Sequence, residues 1–114
     1  MRAEIYFRFL MRAHALHIKS TWGELDPVEQ KLLEFVAVAS LEERVLQVKD
    51  LTSLHDLGSP AMLHARLHVM CEAGWLHLLP TDDARRKQVA LGKAAWRSFD
   101  KFGDCILAAV KKPA

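Results

Sequence analysis

Cysteine is scarce: the 114 residues hold two, Cys71 and Cys105, far apart and in no Cys-x-x-Cys pair. That excludes a disulfide-stapled scaffold and a thiolate zinc ribbon, and it suits a reducing compartment, with the cytoplasm as the expected setting. Long apolar runs are missing as well. Nothing approaches the roughly 18 residues that a membrane-spanning helix needs. The apolar N-terminal stretch Ile5–Met11 is short and broken by Arg8. With no small-residue cleavage site behind it, neither a secretory leader nor a membrane partner is expected. There is no Gly-rich phosphate loop, no Gly-x-Ser-x-Gly elbow and no His-Glu-x-x-His motif. The carboxylate pair Asp82-Asp83 sits beside Arg85, Arg86 and Lys87, where neither acid is desolvated. Neither an enzyme nor a cofactor is expected.

What is present is an ordinary globular composition, 51% hydrophobic and 26% charged. The length suits one core and is too short for two, so a single domain over 1–114 is expected. The net charge of +2 is small, but it is unevenly spread. Residues 1–20 carry +3, 21–58 carry −5, 59–80 are neutral, and 81–93 and 94–114 carry +2 each. Basic charge therefore lies at the two ends and around 81–93, with acidic charge in the middle, which favours a polyanionic partner at the 81–93 stretch.

The punctuation divides the chain into helices and one hairpin. Residues 3–19 lack Gly and Pro and are apolar too densely for a one-faced surface helix, so burial of more than one face is expected. Ser20–Glu24 is a break. Asp26-Pro27-Val28-Glu29 then combines an N-cap, a first-turn Pro and a capping-box Glu. Val28, Leu32, Phe35, Val36 and Ala39 follow at helical spacing, with Lys31 and Glu34 off that stripe. Glu42-Glu43 reads as a polar loop, and Arg44–Val48 as a brief strand pairing with the hairpin. Next come a helical segment Val48–Leu57, the turn Leu57-Gly58-Ser59, and a helix over Ser59–Ala73 ended by Gly74. Trp75–Leu79 and Gln88–Leu91 flank the charged tip Thr81–Lys87. Two helices about a tight Gly turn form a helix-turn-helix, and the hairpin after it forms a wing. The expected fold is therefore mainly α with a small β-hairpin: a winged helix-turn-helix core over 25–91, an N-terminal helix within 1–20 and a C-terminal helix within 92–112.

Residues from Leu25 to about Phe99, roughly two-thirds of the chain, resemble a MarR-type winged-helix transcriptional regulator. The resemblance rests on Leu57-Gly58-Ser59 at the turn, on Leu63, Leu67 and Met70 as the buried ridge of the recognition helix, and on Glu72-Ala73-Gly74-Trp75-Leu76 at the exit into the wing. Asp83-Ala84-Arg85 matches the family's Asp-x-Arg wing motif, and Leu91 closes the hairpin. Gly92 stands where the family usually has Thr, and His64-Ala65 where it commonly shows Thr and Arg. The resemblance implies duplex DNA as partner, transcriptional regulation as function and a homodimer built from the flanking helices. It also implies a possible small aromatic effector, for which His14, His17, Trp22 and Trp96 could line a crevice.

Helical geometry assigns the faces. At about 100° per residue, Leu63, Leu67 and Met70 share one side of the recognition helix. Ala61, Ala65, His68 and Glu72 lie opposite, with His64 at the margin. Ser59, Ala61, His64, Ala65 and His68 are therefore the expected groove-facing residues, while Arg85, Arg86 and Lys87 are expected on backbone or minor groove. Asp83 is placed to orient the Arg85 guanidinium. On the terminal helices, Phe7, Leu10, Trp96, Phe99, Phe102, Ile106 and Val110 form apolar stripes and are the expected dimer interface. His64, His68 and Cys71 have metal-compatible spacing, but without a fourth ligand a packed thiol and two surface imidazoles fit them better. No metal is assigned. The alternative function is a winged-helix module whose recognition face and terminal helices bind proteins.

Overall fold

The second helix starts where its sequence demands. In the computed structural model, which describes residues 1–83 and 85–111, Asp26 Oδ1 accepts from the Glu29 backbone N–H at 2.8 Å and Glu29 Oε1 accepts from that of Asp26 at 3.0 Å. The reciprocal box satisfies two of the donors that every helix N-terminus leaves free. The elements in chain order are α1 (Arg2–Lys19), a 3₁₀ turn (Thr21–Glu24), α2 (Pro27–Leu41), α3 (Val48–Thr52), α4 (Pro60–Glu72), β1 (Leu76–Pro80), β2 (Lys87–Leu91) and α5 (Lys93–Val110). The mainly helical architecture with one antiparallel hairpin is as expected. Residue 112 of the C-terminal segment lies outside the described residues.

The chain packs as two compact units, Asp26–Ala95 and a second made of Met1–Leu25 with the stretch from Trp96 onward. Inside the first unit, Leu32, Leu33, Val36, Leu51, Leu63 and Met70 are fully enclosed. Each such side chain contributes about 1.5–3 kcal/mol by leaving water. The ridge Leu63, Leu67 and Met70 of α4 is buried as its spacing requires. In α2, Leu33 joins the expected stripe, whereas Val28 and Phe35 are only half-buried.

The hairpin pairs Leu76 with Leu91, Leu78 with Val89 and Pro80 with Lys87. Period-two alternation sends Leu76, Val89 and Leu91 inward. The brief strand expected over Arg44–Val48 does not form. It is reduced to a single bridge, Gln47 with Gln88, and one bond from the Val89 N–H to the Leu46 carbonyl at 2.8 Å. The reason is local. α3 begins at Val48, and the Gln47 N–H is already taken by Asp50 Oδ2 at 2.8 Å, a capping bond that pulls the segment into a helix instead of a ladder. α3 is also shorter than expected, ending at Thr52, with turns carrying the chain from there to Gly58.

Two glycines hold the end of α4 against the start of α5. Gly74 adopts φ 84°, and the Trp75 N–H reaches back to the Met70 carbonyl at 2.9 Å. This closes α4 with a left-handed cap that favours glycine. The Gly74 carbonyl then accepts from Ala94 at 3.2 Å, and the Trp75 carbonyl accepts from Gly92 at 2.9 Å. A Cβ on Gly92 would run into the Gly74 carbonyl oxygen. Glycine therefore stands at position 92 for a steric reason.

In the second unit the Trp22 ring is buried and meets Phe99 and Phe102 edge-on, with centroids 5.4 and 5.3 Å away. Arg8 Nε donates to the Ala109 carbonyl at 3.0 Å. The expectation that α1 buries more than one face is not met: none of its residues is buried. Tyr6, Phe7, Leu10 and Met11 stay exposed, as do Trp96, Ile106, Leu107 and Val110 on α5. No helix among the described residues is long and apolar enough to cross a membrane.

Candidate nucleic-acid interface

α4 is presented by its own cap. Ser59 Oγ accepts from the Met62 N–H at 3.2 Å, and Pro60 occupies the first helical position, where a missing N–H costs nothing. With the Leu63–Leu67–Met70 ridge turned inward, Ser59, Ala61, His64, Ala65 and His68 are all exposed. The fold therefore leaves Ala61, His64, Ala65 and His68 on one accessible side of α4, with Ser59 exposed at its N-terminal end. Small side chains at Ala61 and Ala65 let a groove approach the helix closely. His68 is engaged, with Nε2 3.0 Å from Glu72 Oε1 on the next turn.

Arg66 went unassigned in the sequence, although it is the one Arg on this helix. Its Nη1 is bonded to Asp26 Oδ2, and Glu29 Oε1 lies 4.0 Å away. Thus the carboxylate that caps α2 through one oxygen holds α4 through the other. The Glu29 carboxyl is pushed above its ordinary value by burial. The one guanidinium on α4 is thereby turned toward the protein. A signal existed in the sequence, since Asp26 and Glu29 were legible as a capping box. Nothing in periodicity says that Arg66, 40 positions on, meets them.

The wing tip is an ordered turn. Thr81 Oγ1 donates toward the carbonyls of Asp83 at 2.9 Å and Arg86 at 2.7 Å. The Arg86 N–H donates to the Asp83 carbonyl at 2.9 Å. Asp83 was expected to orient the Arg85 guanidinium, and the structure corrects this. Asp83 Oδ1 accepts from the Arg85 backbone N–H at 3.0 Å, while Oδ2 stands 3.7 Å from Arg86 Nε. A carboxylate at the start of a tight turn meets the N–H two residues on before it meets a side chain. Arg85, Arg86 and Lys87 remain exposed. Ala84 of the Asp-x-Arg motif lies outside the described residues.

His64, Leu67, His68 and Cys71 share a mostly apolar pocket with Leu76 and Leu78, so the structure does bring the two imidazoles and the thiol to one place. Burial raises the Cys71 thiol above its usual value, which disfavours the thiolate a metal would need. Among the described residues no group of three His, Cys, Asp or Glu side chains is placed to hold a metal ion.

Comparison with solved structures bears on the architecture. The chain superposes on a transcriptional regulator from Thermotoga maritima with a TM-score of 0.64, covering 93% of this chain and 70% of that one at 13% identity. The fold is a winged helix. At that identity the likeness is one of fold alone. No family model matches the chain, and no curated protein matches it by sequence.

For the other expected site residues, Trp22 is enclosed by Phe99 and Phe102, which removes it from an open effector crevice. Phe99 and Phe102 are half-buried by the same contact, while Phe7, Leu10, Trp96, Ile106 and Val110 remain exposed.

Proposed function

We propose that this winged helix is a MarR-like transcriptional regulator that binds duplex DNA sequence-specifically as a homodimer. α4 enters the major groove, and the wing lies on backbone or minor groove. The observation that carries this reading is the joint exposure of Ser59, Ala61, His64, Ala65 and His68 on α4 and of Arg85, Arg86 and Lys87 at the hairpin tip, on a winged-helix frame. Small side chains and imidazoles permit close approach, and the wing supplies the charge that makes approach favourable. The reading treats 1–114 as one non-enzymatic, cytoplasmic domain whose terminal helices pair with a second copy. A small aromatic effector remains part of it, with His14, His17 and Trp96 as the remaining candidates to line its site.

The test is selection of a preferred duplex from a random pool, followed by titration of that duplex and a scrambled one at several salt concentrations. A regulator prefers the selected duplex and loses affinity steeply with salt. Absence of binding to either duplex at low salt overturns the reading in favour of a protein-interaction module.

A further inference from the structure

We propose that Gln47 and Lys49, at the start of α3, form with Arg85, Arg86 and Lys87 a second phosphate-binding groove. It holds one backbone strand of the duplex between α3 and the wing. The proposal rests on the DNA-binding reading above and adds a contact that neither the recognition helix nor the wing makes alone.

These side chains line one open concavity of about 380 Å³, together with Val48. Four of the lining residues are cations, and they come from two elements far apart in sequence. Lys49 belongs to a segment, 21–58, whose net charge is −5, so charge counting along the chain points away from it. Folding reverses that. The Gln47–Gln88 bridge and the bond from the Val89 N–H to the Leu46 carbonyl fasten the start of α3 to β2. The backbone therefore sets the spacing of Lys49 from the wing cations.

Two nearby carboxylates are already engaged, and among the described residues only Arg86 of the groove cations is approached by one. Asp50 Oδ2 accepts from the Gln47 N–H at 2.8 Å. Asp83 serves the turn and approaches Arg86 at 3.7 Å. Among the described residues, Lys49, Arg85 and Lys87 stand in no ion pair. Like charges gathered around a concavity repel one another, and an anion seated between them relieves that repulsion. A phosphate backbone suits the groove, because four cations from two elements line it and each can meet a separate charge. Gln47 adds a neutral side-chain amide able to donate to a phosphate oxygen.

The experiment titrates wild type, Lys49→Gln and Lys49→Arg with a fluorescent duplex of the selected sequence and a scrambled one, from about 50 to 200 mM salt. If the groove holds backbone, Lys49→Gln weakens both duplexes by the same factor. It also flattens the log-affinity against log-salt slope by about one unit, equivalent to about a four-fold smaller affinity loss over that range. Lys49→Arg restores the slope. A urea melt matching wild type keeps the comparison free of unfolding. An unchanged slope in Lys49→Gln, with wild type still binding, overturns the groove and leaves the DNA reading standing. A change confined to one duplex also overturns it, since backbone contacts carry no sequence information. No duplex binding by wild type overturns both.

Discussion

Gly92 shows how a single residue can be set by a neighbour remote in sequence. By local rules a Thr there would cap the helix about as well as Gly. The Gly74 carbonyl occupies the space a Cβ would need. Gly92→Thr is expected to lose about 1–3 kcal/mol in a urea melt, the range for forcing atoms into a packed site. Equal or greater stability would show that the two strands of chain can part without cost. Glu29 poses a different question, because it is useful as a cap and penalised as a charge. Burial raises its pKa in the folded state. A raised folded value means that folding favours the protonated form, a stabilisation present at acid pH and lost as pH rises through the folded value. Glu29→Gln keeps an oxygen for the Asp26 N–H and removes the charge. The variant should be at least as stable as wild type at neutral pH, with the difference vanishing as pH falls below the carboxylate range. A variant clearly less stable at neutral pH would mean that attraction to Arg66 outweighs burial.

α4 is held by an ion pair that no helical wheel displays. Arg66→Ala leaves Asp26 with its capping bond but without its cation. The pair is about one-third exposed, so solvent screening keeps the expected loss to roughly 1 kcal/mol or less. Relative preference among DNA sequences should be unchanged, since the guanidinium faces α2. His64→Ala, by contrast, should alter that preference, because its side chain is exposed on the proposed groove-facing side. Binding profiles of both variants across single-base substitutions of the selected duplex decide the matter. If Arg66→Ala relaxed one base position, the arginine would be reaching DNA. Much of this element was legible in advance. Ser59, Pro60 and Gly74 mark its ends, and Leu63, Leu67 and Met70 mark its buried side. The Arg66 tether was not, because it joins residues 40 positions apart through an accident of packing that no period encodes.

For the molecule as a whole, the open question is what covers the apolar residues of the terminal helices. Ile106, Leu107 and Val110 are each more than half exposed. On the homodimer reading, a second copy covers them, and the protein sediments as a dimer at micromolar concentration. Ile106→Asp should then shift the population to monomer, because an unpaired charge in such an interface costs several kcal/mol. Phe99 is the poorer probe, since its ring already packs on Trp22 and its loss would also disturb the monomer. Sedimentation as a monomer at every concentration tested would remove the dimer from the model of function. A dimer would place two copies of α4 to read half-sites about one helical turn apart.

Caps, turns and apolar periods are short-range signals, and they carried the order of the helices, the hairpin, the inward ridge of α4 and the basic wing without reference to coordinates. They act over a few residues, where backbone sterics and one hydrogen bond decide the outcome. Folding decided everything that depends on distant partners: Arg66 on Asp26, Lys49 beside Arg86, Gly92 against Gly74, and a strand at Arg44–Val48 shortened to one bridge. Each is a through-space encounter fixed by how α2, α3, α4 and the hairpin pack together. Local propensity has no term for such an encounter, and so the candidate interface emerged from the chain only in outline.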